Sequence, residues 1–345
     1  MYILAESDYS KTNWYKRILS PLKAQARRKR VQLFESENAG NLPEGEICAF
    51  VMGGNEGWIC ETVRVLQSRG CHPILLNEID DSHISGRFSR VKSDYRTLME
   101  RVSLGGRCAF YGMNPASVSD VARRAAFLDV HPSGEVFQNC GSLWDCFSSF
   151  WIRHTDAQFD SVICANDFAA VSLLTYLKEK GAADNVRITA QAQGTILSYF
   201  PTVHTVSVDP VSLSAAAFEI ADCIRAHPDF LGISVSVGFV CDGEDGKAQS
   251  GYQNTEAERI SFADDAFYTD PQLSELLCIE RLLSSADQTD LRILHLLSVG
   301  CRDIAEEAFL SENGVKYRIK KMKQLCSVSS KKDIPLLLEK YGVNI

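Results

Sequence analysis

The residues best placed to do chemistry in this chain are cations that recur along one stretch. Lys316, Lys320 and Lys323 fall at i, i+4 and i+7 within residues 314–326, with Arg318 and Lys321 flanking them. In a helix that spacing lines the ammonium groups along one face. Val315, Ile319 and Met322 repeat at the same interval on a neighbouring face and form a stripe suited to burial. A helix anchored by one side and cationic along another suits insertion into the major groove of DNA, where Lys and Arg neutralise phosphates. The simpler reading of such a run is a solvated lysine face.

A second stretch, residues 159–170, reads as an apolar strand ending in Asn166-Asp167 and running into a helix. Ligands of open parallel sheets bind beyond the carboxyl ends of the strands. Asp167 is equally suited to capping the helix that follows. Other constellations exclude more than they suggest. Gly53-Gly54-Asn55-Glu56-Gly57 follows a strand but misses the dinucleotide-binding spacing. No Walker loop or Ser–His–Asp order is evident. The seven His lack ligand spacing, and the twelve Cys contain no Cys-x-x-Cys pair. Most Cys sit in apolar runs such as Ile47-Cys48-Ala49-Phe50, where a free thiol behaves as a small hydrophobe. Arg27-Arg28-Lys29-Arg30 ends a helix, where cations complement the helix dipole. No catalytic residue, metal or cofactor is expected, and the chain reads as a non-enzyme.

The elements that must position these residues follow from periodicity. Up to about residue 240, short apolar runs (2–5, 47–52, 73–76, 107–111, 161–165, 186–190, 204–208) alternate with amphipathic helical stretches. That alternation predicts parallel sheets covered on both faces. Residues 242–261 are rich in Gly, Asp, Glu, Lys, Gln and Ser and read as a loop or linker. From Pro271 onward the pattern is entirely helical. Residues 290–299 form a helix stopped by Gly300, residues 302–309 a short second helix, Leu310-Ser311-Glu312-Asn313 a turn, and residues 314–326 the third helix.

Charge is divided between these parts. Residues 286–345 hold ten Lys/Arg against eight Asp/Glu, whereas the 345-residue chain has a net charge of −8. A mildly basic end on an acidic chain is consistent with nucleic-acid contact there. No apolar run reaches the roughly 20 residues of a membrane span. The N-terminus lacks the basic-then-apolar order of a signal peptide, so a cytoplasmic location without membrane contact is expected.

Two resemblances give these elements a function. Gly300-Cys301-Arg302-Asp303-Ile304-Ala305-Glu306, then Leu310-Ser311-Glu312-Asn313-Gly314-Val315-Lys316-Tyr317, then Leu325 and Val328, resemble the LuxR-type helix-turn-helix. The resemblance implies that Lys316, Tyr317, Lys320 and Lys323 face DNA and that Ser311 and Asn313 contact phosphate. Gly314, where that family usually has Thr, and Cys301-Arg302-Asp303, where it usually has Asn-Lys-Glu, depart from the pattern. Over residues 1–240 the chain resembles the ligand-binding domain of lactose-repressor-type regulators, which share a fold with periplasmic sugar-binding proteins. The resemblance rests on Asp8-Tyr9-Ser10 with Trp14-Tyr15, Val91-Lys92-Ser93-Asp94, residues 107–112, Ser117-Val118-Ser119 through Arg123 to Phe127, the Asn166-Asp167 strand end, and residues 204–209.

That second resemblance implies a cleft lined by Asp94, Ser119, Arg123, Trp144 and Asn166, with Asp8, Ser10, Trp14 and Asp167 as further ligand contacts. Such groups suit a sugar: carboxylates and amides pair with hydroxyls, an Arg adds donors, and an indole covers the CH face. Each has an ordinary alternative: Asp94 and Asp167 as helix caps, Trp144 as core, Arg124 in place of Arg123. Where family members usually carry Gly-aromatic-Asp, this chain has Gln191-Ala192-Gln193-Gly194-Thr195. A Gln therefore replaces the acidic sugar clamp, with Gln193 the first candidate and Gln191 the alternative.

The fold expected is α/β: a two-lobed periplasmic-binding-protein-like fold of parallel doubly wound sheets, plus a C-terminal all-α helix-turn-helix domain. The ligand-binding part spans 1–245, with lobe one at about 1–114 and 208–230 and lobe two at about 115–207 and 231–245. A linker and connector helix follow over 246–285, with Asp270-Pro271 leading the helix, and the DNA-binding domain spans 286–345. The whole is similar to xylose-responsive regulators. It implies a homodimer with two partners, DNA and a sugar-like effector. The rival readings are a transport-type solute-binding protein and a sensor whose tail binds protein.

Overall fold

The computed structural model describes residues 1–10, 12–76, 83–103, 105–191, 194–241 and 270–345. The elements of the N-terminal part run β1 (Tyr2–Ala5), α1 (Ser7–Ser10), α2 (Asn13–Arg28), β2 (Phe34–Ser36), β3 (Cys48–Met52), α3 (Glu56–Ser68), β4 (His72–Leu75), β5 (Ser89–Ser93) and α4 (Tyr95–Val102). They continue with β6 (Cys108–Met113), α5 (Val118–Val130), β7 (Glu135–Gln138), α6 (Leu143–Ala157), β8 (Ser161–Cys164), α7 (Asp167–Glu179), β9 (Arg187–Ala190), β10 (His204–Val208), α8 (Pro210–Ala226), β11 (Ser234–Val237) and β12 (Phe239–Cys241). The helical tail holds α9 (Pro271–Ser285), α10 (Gln288–Ser298), α11 (Ile304–Glu307), α12 (Glu312–Cys326) and α13 (Asp333–Lys340).

The strands form two six-stranded sheets, one per lobe. Lobe one has the order β11-β5-β4-β3-β1-β2 and lobe two β12-β10-β9-β8-β6-β7. Every pairing is parallel except β10 with the edge strand β12. Central strands such as β3 and β8 are buried along their whole length. This is why their sequences run apolar without alternation.

The chain crosses between lobes three times. α4 follows a lobe-one strand but packs with Phe110 and Phe127 in the core of lobe two. After β10, α8 packs on α2 and on the lobe-one strands. β11 ends in lobe one and β12 begins in lobe two, with Gly238 between them. The crossovers meet: the Asp94 amide donates to Val237 O at 3.0 Å, and the Asp209 amide to Gly238 O at 3.5 Å. Lobe one therefore gives way to lobe two at residue 94, not 115, and β11 belongs to lobe one, not lobe two. A continuous apolar strand carries no local mark of the sheet it joins, so pairing decides.

The tail starts from Asp270, whose carboxylate caps α9 through the Gln272 amide, with Pro271 at the first helical position. α10 opens with a reciprocal capping box between Asp287 and Asp290. The apolar core does not stop at the change of pattern. Leu273, Leu276, Ile279 and Leu283 of α9, with Ile293, Leu294, Ile334 and Leu338 beyond it, lie in one buried cluster with Phe147, Tyr176 and Leu197 of lobe two. Polar contacts reinforce the junction. The Leu143 amide donates to Asp270 Oδ2 at 2.7 Å, Tyr341 Oη donates to Glu275 Oε2 at 2.5 Å, and Tyr176 Oη donates to Gln272 Oε1.

Candidate ligand-binding site and nucleic-acid face

The carboxyl ends of the lobe-two strands carry a set of polar side chains: Asn114 after β6, Asn139 after β7, Asn166 and Asp167 after β8, and Gln191 after β9. Asn114, Asn139, Asp167 and Gln191 are buried. Several of their polar atoms have no partner among the described residues: both Oε1 and Nε2 of Gln191, Oδ1 of Asp167 and Nδ2 of Asn139. Leaving such an atom buried and unbonded costs about 1–3 kcal/mol. Their concentration where parallel sheets bind ligands makes this end of lobe two the candidate binding surface. Ser161 and Arg187, which also hold an unpartnered atom, start their strands at the opposite end.

Arg123 supplies a fixed cation. Its Nη1 donates to Asp120 Oδ1 and to Ala165 O, both at 2.9 Å, while its Nε is buried without a partner. Asp120 also accepts the Asn114 amide at 2.9 Å. Burial pushes the Asp120 carboxyl up, and Arg123 opposes that shift. The Arg123 guanidinium lies 5.5 Å from the centre of the Tyr95 ring. From lobe one comes Tyr9, whose phenol is held well above its ordinary range by burial, then by Tyr95 and Glu6, with Arg123 opposing. Arg17 also reaches across: its Nη2 lies 3.5 Å from Ser207 Oγ on β10. Glu6 holds the lobe-one wall by accepting the amides of Gly54 at 2.7 Å and Asn55 at 3.0 Å.

Asp167 is the most perturbed carboxyl of this surface. Burial, then the nearby Glu280 carboxylate, push it up to about 7, while the Gly194 amide, Arg17 and Arg123 pull the other way.

The residues singled out from sequence divide. Arg123 and Asp167 belong to this surface. Asn166 stands beside it, and its side chain caps α7 through the Ala169 amide at 2.9 Å. Asp94 sits at the first crossover, where both its carboxylate oxygens are taken by Thr97: the amide at 3.1 Å and the hydroxyl at 2.8 Å. Ser119 Oγ contacts Ser117 Oγ, and Ser10 Oγ donates to Ser7 O. Trp14 packs on the lobe-one core beneath Arg17, whose guanidinium lies 6.0 Å from its ring. Trp144 stands edge-on to Tyr176 at 5.0 Å, beside the start of α9. Asp8 lies in α1, and its side chain is outside the described ones. Gln193 lies outside the described residues, whereas Gln191 is buried in the surface itself. Tyr9, Arg17, Tyr95, Asp120 and Asn139 were not singled out. The neighbourhood of Tyr9 to Trp14, and Arg17 three residues on, was the available signal.

The second surface is on α12. Val315, Met322 and Cys326 are buried, and Ser311 caps the helix by accepting the Gly314 amide at 3.1 Å. A Cβ on Gly314 would lie 3.3 Å from that hydroxyl oxygen. Lys316, Lys320 and Lys321 are exposed, Asn313 is exposed, and Tyr317 is 72% exposed. Lys316 pairs with Glu312 at 3.0 Å on the open surface. Arg318 does not flank the ridge outward. Its Nη1 turns in to Asp287 and Asp290, 2.7 Å from Asp290 Oδ1, and so ties α12 to the start of α10. Beside the ridge runs a groove of about 580 Å³ in which Lys316, Lys320 and Lys323 face Arg302 and Lys331. Arg302 and Lys331 extend the cationic face beyond what helical spacing alone indicated.

No family model matches the chain, and no curated protein matches it. Solved structures do share its architecture. The transcriptional regulator CelR in complex with cellobiose superposes with a TM-score of 0.52 at 12% identity, over 70% of this chain and 81% of that one. The dimeric Lac repressor with an 11-residue C-terminal deletion matches with a TM-score of 0.52 at 14% identity, over 70% and 96%. The periplasmic component of an ABC-type sugar transport system from Hahella chejuensis matches with a TM-score of 0.51 at 14% identity, over 70% and 99%. The fold is thus two parallel-sheet α/β lobes of the periplasmic-binding-protein and lactose-repressor kind, with a helical C-terminal region. No described helix is long and apolar enough to cross a membrane, and no described group of side chains has the make-up of a metal site.

Proposed function

We propose that the protein is a ligand-responsive, DNA-binding transcription regulator that senses a small polar compound of the sugar class. The observation that carries this reading is α12. Its apolar side and Arg318 are anchored in the fold, while Lys316 and Lys320 are exposed and the half-buried Lys323 lines the same groove with Arg302 and Lys331. In this reading the tail, residues 286–345, is a LuxR-type helix-turn-helix and α12 its recognition helix. α9 connects it to the sensor, the arrangement of xylose-responsive regulators.

The sensor acts through differential affinity: a compound that bridges the lobes favours the closed state by the contacts it gains there. Gln191 offers a donor and an acceptor side by side, which suits paired hydroxyls. Because it is uncharged, sugar derivatives and nucleosides fit as well as simple sugars. A homodimer would present two copies of α12 to two half-sites.

Two measurements test the reading. In fluorescence anisotropy with duplex DNA, affinity should fall steeply as salt rises, because phosphate contacts release counterions. Duplex affinity unchanged in the Lys316→Ala/Lys320→Ala double variant would reject α12 as the reading helix. Binding to a protein with a shallow salt dependence would favour the tail as a protein-docking module. A thermal-shift screen against sugars, nucleosides and sugar phosphates should yield a stabilising compound whose effect disappears in Gln191→Ala. A hit that survives that change would place the effector elsewhere.

A further inference from the structure

Glu280 lies in the middle of α9 and is buried. Its Oε1 accepts the Thr195 amide at 3.0 Å, and its Oε2 accepts the Ile196 amide at 2.7 Å. One residue earlier, Asp167 Oδ2 accepts the Gly194 amide at 2.7 Å. Three consecutive amides are therefore held by two buried carboxylates, one at the cleft end of α7 and one from the tail. Gly194 lets both approach: a Cβ there would lie 2.3 Å from Asp167 Oδ2 and 3.2 Å from Glu280 Oε2. Gln191, with both amide atoms unpartnered, opens the same connection three residues earlier. A turn of this kind is ordinarily capped by a neighbouring Ser, Asn or Asp. Drawing on a buried carboxylate from far along the chain costs desolvation that a local cap avoids.

We propose that Glu280 is a positioning residue of the effector site supplied by the tail: with Asp167 it grips the Gly194–Ile196 turn, so that the cleft and the seating of α9 against α12 are coupled. The proposal rests on reading the lobe-two surface as the effector site. A shift of Glu280 with α9 that lengthens its bonds to Thr195 and Ile196 pulls on the adjoining Gly194 amide held by Asp167. α9 packs directly on α12, so a displacement of Glu280 is felt at the cationic helix. The charges add a second handle. The Glu280 carboxylate adds to burial in pushing the Asp167 carboxyl up, while Arg17 and Arg123 pull it down. Glu280 is itself pushed up by burial.

The test is amide hydrogen exchange on the full-length protein without any effector, for wild type, Asp167→Asn, Glu280→Gln and Gly194→Ala. Asp167→Asn should raise exchange in residues 271–285 and 312–326 by about tenfold, in the range of one lost hydrogen bond to a charged acceptor. Glu280→Gln should do the same at residues 194–196. It should also move the pH at which Gly194 protection changes to lower values, which a merely structural loss would not do. Gly194→Ala should loosen both regions together. The proposal fails if Asp167→Asn leaves exchange in α9 and α12 unchanged, or if Glu280→Gln leaves the Gly194 pH midpoint in place. Should Glu280→Gln not fold by circular dichroism, Asp167→Asn alone decides. Because no effector is used, a failed effector screen overturns the sensor reading without touching this result.

Discussion

Lobe one and lobe two each hold a six-stranded sheet, yet they bring different surfaces to the cleft and have different neighbours. The lobe-one wall is largely satisfied: Glu6 is occupied by two backbone amides, and Trp14 packs under Arg17. Lobe two presents Gln191, Asp167 and Asn139 with buried polar atoms unpartnered. The tail's apolar core is continuous with that of lobe two and with neither lobe-one cluster. The contrast teaches a division of labour. Lobe two and the tail share one apolar core, with the unpartnered polar set at the strand ends of lobe two and the cationic helix in the tail. Lobe one joins this unit through the crossovers at Asp94, Asp209 and Gly238.

Truncating each core separately gives the largest expected effect. Phe218→Ala in lobe one should cost about 4 kcal/mol and Leu276→Ala in α9 about 3 kcal/mol, as for other fully buried truncations. Chemical denaturation followed by exchange should show Leu276→Ala loosening lobe two and the tail together, with lobe one intact. A variant that frees residues 271–345 alone would show the tail to be an independent unit.

A somewhat smaller effect is expected at the cleft. Asp120→Asn leaves Arg123 without its buried partner and should cost about 3 kcal/mol in unfolding free energy. It should also weaken any effector that touches Arg123. A neutral result would mean that Asp120 does not hold the guanidinium in place.

A pH series sharpens the contrast further. The folded-state pKa of Asp167 lies above its unfolded value, so between about pH 4 and 7 the folded chain binds the extra proton. Its contribution to stability is greatest below pH 4, is lost as pH rises to about 7, and is flat beyond. Asp167→Asn should remove this slope, a change of about 2 kcal/mol after allowance for relaxation of the buried site. An unchanged slope would assign the titration to another group.

The smallest effect is expected on the tail face. Lys323→Ala should weaken duplex DNA binding about tenfold at low salt and flatten the log–log salt slope by about 0.9, the amount for one phosphate contact. Thermal stability should not change, because the ridge is outside the core. Arg318→Ala should instead lower stability, since it unties α12 from Asp287 and Asp290.

Local signals were legible wherever one segment contains its own answer. Asp94 caps α4, Asp270-Pro271 starts α9, and Ser311 starts α12, because capping needs only residues within a turn; the cap of α7 is Asn166, one residue before the Asp167 expected there. The exposed ridge of Lys316 and Lys320 follows from helical spacing alone. The cleft was less legible. Asp94 shares its sequence context with a ligand-contacting position, but Thr97, three residues on, occupies both its oxygens. Trp144 has the right chemistry for a sugar face, but Tyr176, from another helix, is what it meets. Arg318 reads as one more surface cation until α10 is folded beside it.

The sequence by itself determined the alternation of the seven apolar strands with helices and the switch to an all-helical tail, because periodicity, caps and charge spacing act within a few residues, whereas the shorter or more polar β2, β5, β7, β11 and β12 carry no such local mark. Only the tertiary structure decided that β6 joins lobe two and β11 lobe one, and that Gln191 is buried without partners. It also decided that Glu280 reaches the Gly194–Ile196 turn. These outcomes depend on strand pairing and on side chains far apart in the chain, whose burial and bonding exist only once separate elements are packed against each other.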